Sequence, residues 1–395
     1  MYGSVVDIVV VVLAILFAIN GYRQGFVVGI LSFIGFIGGA LIGLQLTPYT
    51  ADRFDAPSMR VIVSLATVLI LAVALQAVAA MIGTRIRGSI LQRPVQIVDD
   101  LGGAAVSIIA VLVVAWMIAV PLASSSVPWL AKSVRTSAVL HGVDSAMPSS
   151  ARVLYNSLRD AVNTSDFPDV FSGLTPTQVR SVPPPDPALA SSPTVQRLHQ
   201  SVVKVIGDAP SCSRRIEGSG FVYSPHHVLT NAHVVAGTRS LVVEDEQGDR
   251  LRATVVSYDS QRDLAVLYVP ELSAPALPFA GSPADQGTDS IVLGYPLDGP
   301  YTASPARVRD HRDIRGPNIY DSGTVVREVY TIRSQVRSGN SGGPLVSRSG
   351  AVYGVIFAAA ADDPQTGFAL TAAEAAPVAD KGRTATTAVG TGSCT

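Results

Sequence analysis

Charge is what this sequence lacks most. Asp, Glu, Lys and Arg make up only 15% of its 395 residues, against 48% hydrophobic, a balance too apolar for an ordinary soluble globular protein. Basic excess is missing as well. Its 29 Lys and Arg face 30 Asp and Glu, and no long run of one sign stands out, so no nucleic-acid partner is expected. Cysteine is reduced to Cys212 and Cys394, which excludes a disulfide-dense scaffold and a cysteine-built zinc site. There is no other metal constellation and no nucleotide-binding glycine loop, so neither a metal nor a cofactor is expected. Met1 to Ser4 holds no Lys or Arg. The first apolar run therefore lacks the basic lead of a cleaved signal peptide and reads as a retained helix.

The hydrophobic excess is concentrated in residues 1–123 as four runs, Val5 to Ile19, Gly25 to Leu46, Val61 to Ile82 and Leu101 to Ala123. A spanning helix needs about 20 apolar residues. The last three runs qualify, and the first is short and contains Asp7. A four-helix transmembrane region in a lipid bilayer is expected. Basic loops stay cytoplasmic, and Arg23, Arg85, Arg87 and Arg93 in the odd loops outweigh Arg53 and Arg60 in the even one. Everything after Ala123 is then extracytoplasmic, on the periplasmic side. Gly35, Gly39 and Gly43 recur every fourth residue, which permits close helix approach, either within one bundle or as self-association of transmembrane helices between copies. Asp7, Asp99 and Asp100 lie near span ends, whereas an ion pathway would want charge mid-span.

Residues 124–200 read as an extracytoplasmic linker. Val153, Leu154, Leu158 and Val162 recur at helical spacing within 149–163. Ser181 to Pro193 then carries five prolines in thirteen residues, the text of a stiff, exposed spacer. Residues 201–395 change to period-two runs such as "GSGFVYSPHHVLTN" and "DLAVLYVP" between Gly, Asp, Asn and Pro turns, which predicts an all-β domain closed by a short helix at 372–379. Both cysteines lie in this part. Bridged, they would close a loop of roughly 180 residues, worth on the order of 5 kcal/mol in the chain-entropy picture, and would persist only in an oxidising compartment. The alternative is two unrelated free thiols.

Three separated pieces carry chemistry: "LTNAHVV" with His233, "RDLAVL" with Asp263 and "SGNSGGPLV" with Ser341. A serine hydroxyl is a weak nucleophile near neutrality and needs a base within hydrogen-bond reach, and that base needs a carboxylate to fix its tautomer. Glycines around the serine let backbone N–H groups, here those of Gly339 and Ser341, aim at a developing oxyanion. The five other histidines, His141, His199, His226, His227 and His311, lack such context and read as surface or turn residues.

In this order and with separations of 30 and 78 residues, the pieces resemble the chymotrypsin-like trypsin family and its bacterial HtrA-type branch. The resemblance implies a double β-barrel of two six-stranded halves, with His233 as general base, Asp263 as its orienting carboxylate, Ser341 as nucleophile, and Gly339 and Ser341 as the oxyanion hole. By position it places the substrate pocket near Gln335, with Gly354, Phe357 and Ala358 along a wall and Gly367 and Phe368 opposite or beneath. No acidic residue lies there, so a neutral or small apolar pocket is expected. Asn340 stands before Ser341, so no zymogen-type aspartate is available, and no peptide-binding PDZ module is expected after the protease. The membrane part resembles the colicin V production protein family. Its fusion to a trypsin-like domain resembles actinobacterial membrane-anchored serine proteases of the acid-resistance type, which implies a periplasmic endopeptidase acting on cell-envelope proteins under acid stress. The rival from another class is a catalytically silent membrane scaffold with a peptide-binding barrel.

Overall fold

The computed structural model describes residues 5–51, 57–88, 93–123, 128–147, 177, 179–210 and 214–394. The helix expected within 149–163 and the thiol of Cys212 lie outside them. Two compact units form. The first holds α1 (Val5–Gln24), α2 (Phe26–Ala51), α3 (Pro57–Arg87), α4 (Arg93–Ala123) and α6 (Ala138–Ala146); the second holds α5 (Pro128–Arg135) and the β-rich part.

Val5–Gln24, Phe26–Thr47, Ala66–Arg87 and Val95–Ala119 are each long and apolar enough to cross a membrane. Asp7, the charge that made the first run marginal, has a structural use. Its carboxylate accepts from Ser137 Oγ at 2.5 Å, Ala138 N at 3.3 Å and Val139 N at 3.1 Å, and so caps the N-terminus of α6, where free N–H groups favour an anion. Asp99 likewise accepts from Val27 N at 3.0 Å at the start of α2. Arg87 meets Asp99 at 2.8 Å and also Asp100, and donates to the carbonyls of Arg23 at 2.7 Å and Gln24 at 2.6 Å. These charges hold the break between α1 and α2. The glycine stripe faces α3: a Cβ on Gly35 or Gly39 would lie 2.7 Å from the Leu75 carbonyl or 2.4 Å from the Leu71 carbonyl, and on Gly43 2.6 Å from Val68 Cα. It is occupied inside the bundle, which removes it as a basis for self-association.

The β-rich unit has thirteen strands among the described residues. β1 (Val202–Ala209), β2 (Arg214–Ser224), β3 (His227–Thr230), β4 (Ser240–Glu244), β5 (Arg250–Arg252), β6 (Thr254–Asp259) and β7 (Leu264–Tyr268) form one sheet ordered β5-β4-β1-β2-β3-β7-β6. It is seven-stranded, not the expected six, because the short charged β5 adds an edge that discourages further pairing. β8 (Asp289–Gly294), β9 (Thr302–Pro317), β10 (Thr324–Arg333), β11 (Pro344–Val346), β12 (Val352–Ala359) and β13 (Thr366–Thr371) close a barrel ordered β10-β13-β12-β11-β8-β9. Val203, Val205, Val243 and Leu267 belong to the core of the first sheet, and Val308, Ile332, Leu345 and Ile356 to that of the barrel. A third cluster with Phe221, Leu293, Phe357 and Phe368 contains residues from both. Burying such side chains supplies about 1.5–3 kcal/mol each.

The proline-rich segment is docked, contrary to the expectation of an exposed spacer. Its prolines lack N–H groups and can be held only through carbonyls. Arg309 Nη1 donates to Arg180 O at 3.2 Å and Arg333 Nη1 to Val182 O at 2.7 Å, while Val182 and Leu189 are buried and Pro183 and Pro184 face solvent. A short helix α7 (Pro193–Leu198) then leads into β1. The closing helix α8 (Ala372–Gly382) starts on Thr371, whose Oγ1 accepts from Glu374 N at 3.0 Å.

Thr371 Oγ1 also donates to Glu328 at 2.7 Å. This bond, opposed by partial burial and helped by His311 at 2.7 Å, holds the Glu328 carboxyl below the usual range. A depressed folded-state pKa is stability present above the ordinary carboxylate range and lost as pH falls through the folded value. Wild type is therefore expected to exceed Glu328→Gln in stability most near neutrality, with the gap closing below about pH 4. Denaturation midpoints measured across that range check it.

Candidate active site

Strand register brings the first two residues together. β3 and β7 are antiparallel with Thr230 opposite Ala265, so the chain leaving β3 and the chain entering β7 share one edge. His233 lies three residues beyond Thr230 and Asp263 two before Ala265. Asp263 has φ +60°, a left-handed conformation that Asp and Asn tolerate better than most residues. Asn231 Nδ2 ties its carbonyl at 2.8 Å. The wholly buried Asp263 carboxylate accepts from His233 N at 3.0 Å and faces His233 Nδ1 at 2.8 Å. An ionised carboxylate accepts only, so the proton sits on Nδ1 and the lone pair on Nε2.

Ser341 occupies the turn between β10 and β11. Asn340 N donates to Arg337 O at 3.0 Å, Gly343 N to Asn340 O at 2.9 Å and Gly342 N to Ile356 O at 2.8 Å. Gly342, at φ +83°, is required by close approach: a Cβ there would lie 2.1 Å from Ser219 O and 2.3 Å from Thr230 Oγ1. The serine turn thus lies against the strands that lead to His233. Gly218 shows the same closeness, since its Cβ position is 2.6 Å from Val234 and 3.1 Å from Ser341 O. Both His233 Nε2 and Ser341 Oγ are buried and hydrogen-bond to no described group. The expected bond between them is not made in this resting geometry, as is common before substrate tightens such a site. Among the described residues, no competing partner has to be displaced from either atom.

The Gly339 and Ser341 N–H groups are not engaged elsewhere among the described residues. Ser338 O accepts from Leu297 N at 2.7 Å, and in a trans peptide the N–H points opposite to the carbonyl, so the Gly339 N–H is turned away from Leu297. Neither the Gly339 nor the Ser341 N–H donates to another described group. Gly339 has φ +89°, a conformation available to glycine at no steric cost.

The pocket residues are less tightly gathered. Gln335 is exposed. Gly354 lies under β13, where a Cβ would be 2.1 Å from Leu370 O. Phe357 and Ala358 are buried at 1% and 0% exposure in the shared core, and Arg327 lies 5.4 Å from the Phe357 ring centre. The register of β12 against β13 shifts between Ile356 and Ala358, and such a bulge upsets the alternation that would have turned Phe357 outward. Gly367 packs against Val336, and Phe368 lies beneath in the core. His227 is not a surface residue: it is 5% exposed, with Nε2 2.9 Å from Ala385 O.

Sequence reasoning missed Ser219, Asn231 and Arg327. The first had a signal, a Gly-Ser-Gly inside a strand, which marks close backbone approach. Arg327 is buried, which pushes its guanidinium pKa down, while Asp263 and Glu374 draw it back up. Near the site, Cys394 takes part in a disulfide. Its Sγ lies 2.7 Å from the Cβ position of Gly237, and Gly237 N donates to Thr391 O at 3.2 Å. The chain end therefore runs beside the segment that follows His233.

A buried His-Asp pair against a serine turn, between a curled sheet and a closed barrel, defines a trypsin-like serine protease. Residues 218–355 match the trypsin-like peptidase domain, and residues 6–148 match the colicin V production protein family. Over 392 residues the chain is 44% identical to serine protease Rv3671c of Mycobacterium tuberculosis (strain ATCC 25618 / H37Rv), covering 98% of each. The crystal structure of the Rv3671c protease from M. tuberculosis, active form, is 50% identical with a TM-score of 0.54, over 56% of this chain and 96% of that one. Putative serine protease HhoB of Synechocystis sp. is 34% identical over 167 residues, 41% of this chain and 39% of its own. The chain belongs to the family of Rv3671c, the MarP-type serine proteases.

Proposed function

We propose that this chain is an extracytoplasmic serine endopeptidase anchored in the cell membrane, cleaving proteins through an acyl-enzyme. The observation that carries the reading is the buried His233-Asp263 pair, whose free Nε2 belongs to the same strand edge that the Ser341 turn packs against. In it His233 takes the Ser341 proton, Asp263 stabilises the imidazolium, and the Gly339 and Ser341 N–H groups receive the oxyanion. His233 then returns its proton to the leaving amine, and water repeats the cycle on the acyl ester. Gln335, Gly354 and Ala358 contribute backbone or rim contacts to a neutral pocket, and Phe357 supports it from the core.

A periplasmic orientation is supported by the arginine count of the loops and by the disulfide at Cys394, for which Cys212 is the only other cysteine in the sequence. We take the segment from 179 onward as part of the protease domain, since it is docked there. Acid-stress survival and processing of cell-envelope proteins follow from the resemblance. The test is fluorophosphonate labelling of the full-length protein, with the adduct mapped by mass spectrometry. An adduct on Ser341 that disappears in His233→Ala is expected; a folded, unreactive protein would favour the silent scaffold.

A further inference from the structure

The oxyanion donor belongs to the closed barrel, yet part of what fixes it comes from the seven-stranded sheet. Ser219, on β2 and wholly buried, donates through Oγ to Gly339 O at 2.6 Å and through N to Ser341 O at 2.8 Å, and its Oγ accepts from Tyr295 N at 2.9 Å. It therefore bonds the carbonyl on either side of Asn340 and also the strand end that carries the 295–298 turn. That turn covers Gly339 directly, since a Cβ there would be 2.3 Å from Tyr295 O and 3.0 Å from Leu297 N. Its geometry is costly: Leu297 and Asp298 both have positive φ, +57° and +55°, and non-glycine residues hold such angles only where their surroundings impose them. The surroundings here are Lys204 of β1, a buried cation whose Nζ donates to Asp298 O at 3.0 Å and also meets the Asp298 carboxylate.

We infer that Ser219, seconded by Lys204, is a positioning residue for the Gly339 oxyanion donor. The inference rests on the triad reading above. Two bonds orient the two peptides around Gly339: Leu297 N holds the carbonyl of peptide 338–339, and Ser219 Oγ holds that of peptide 339–340. Gly339 has no side chain to resist rotation, so without them its N–H is free to leave the oxyanion position. An N–H that must be reoriented in the transition state gives back much of its advantage, because preorganisation is what makes such donors effective. Ground-state substrate binding does not use this N–H to the same degree, so the effect falls on kcat and not on KM.

The full-length protein is compared with Ser219→Ala, Lys204→Met and Lys204→Arg for kcat and KM on a peptide substrate, and for affinity towards a peptide boronate, whose tetrahedral adduct fills the oxyanion position. Ser219→Ala is expected to lower kcat by roughly 10- to 100-fold, with KM within about twofold and boronate affinity falling in parallel. Lys204→Met should do the same to a smaller extent and Lys204→Arg should recover most of it, which a general packing defect would not. Unchanged kcat, or a loss confined to KM and thermal stability with boronate affinity retained, overturns the inference. If Ser219→Ala does not fold, the Lys204 pair decides. Fluorophosphonate labelling of Ser341 in the wild type separates the two levels: no wild-type adduct means the triad reading has failed, whereas a normal adduct with full activity in the variants removes only the positioning role.

Discussion

Ser341→Ala is expected to lower peptide hydrolysis by on the order of 10⁶-fold in kcat, with the folded, membrane-inserted protein otherwise unchanged. Ser341 Oγ is buried and has no described partner. Its removal therefore leaves no donor or acceptor orphaned, and burying a hydroxyl without a bond is itself unfavourable. The turn is held by backbone bonds from Ser219, Asn340, Gly342 and Gly343, none of which uses the side chain. Thermal unfolding and carbonate extraction of membranes should match wild type while cleavage vanishes. Retained cleavage would exclude Ser341 as the nucleophile.

Asp263→Asn should be nearly as damaging, with kcat falling by about 10⁴-fold. Asn tolerates the +60° φ of this position, so the backbone remains. What changes is the proton. An amide NH₂ in place of the carboxylate oxygen that meets Nδ1 would favour the lone pair on Nδ1 and the hydrogen on Nε2, and a ring in that tautomer cannot accept from Ser341. Asp263→Ala carries an added cost in stability, because alanine is strained at positive φ. Comparing the two variants therefore separates chemistry from folding. A loss of less than tenfold in Asp263→Asn at unchanged stability would mean that Asp263 does not orient the base.

The His233-Asp263 pair and the Ser341 turn were legible because each piece sits in its own local text, with a strand ending before His233, a turn before Asp263 and glycines around Ser341. The four spans were legible because length alone decides them. What the residues could not convey was contact made by the backbone or across long separations. The proline-rich segment looked free because its acceptors are carbonyls, which every residue has; only the position of Arg309 and Arg333 reveals their use. Asp7 looked like an interfacial charge because the helix it caps begins 131 residues later. Phe357 looked like a pocket wall because a one-residue shift in register leaves no mark on composition.

Residues 389–394 bear on how the molecule comes into being. Val389 N donates to Val255 O at 2.9 Å, Tyr320 Oη to Thr391 O at 3.4 Å, and Cys394 reaches Gly237. The sheet that presents His233 and Asp263 is thus finished by residues that follow the whole barrel bearing Ser341 in the chain. Synthesis runs from the N-terminus and domains often fold as they emerge, but this sheet cannot be completed in that order. The growing chain therefore carries its serine before its histidine loop is secured, and the two sides of the site can be fixed together only once residues 389–394 have followed the barrel.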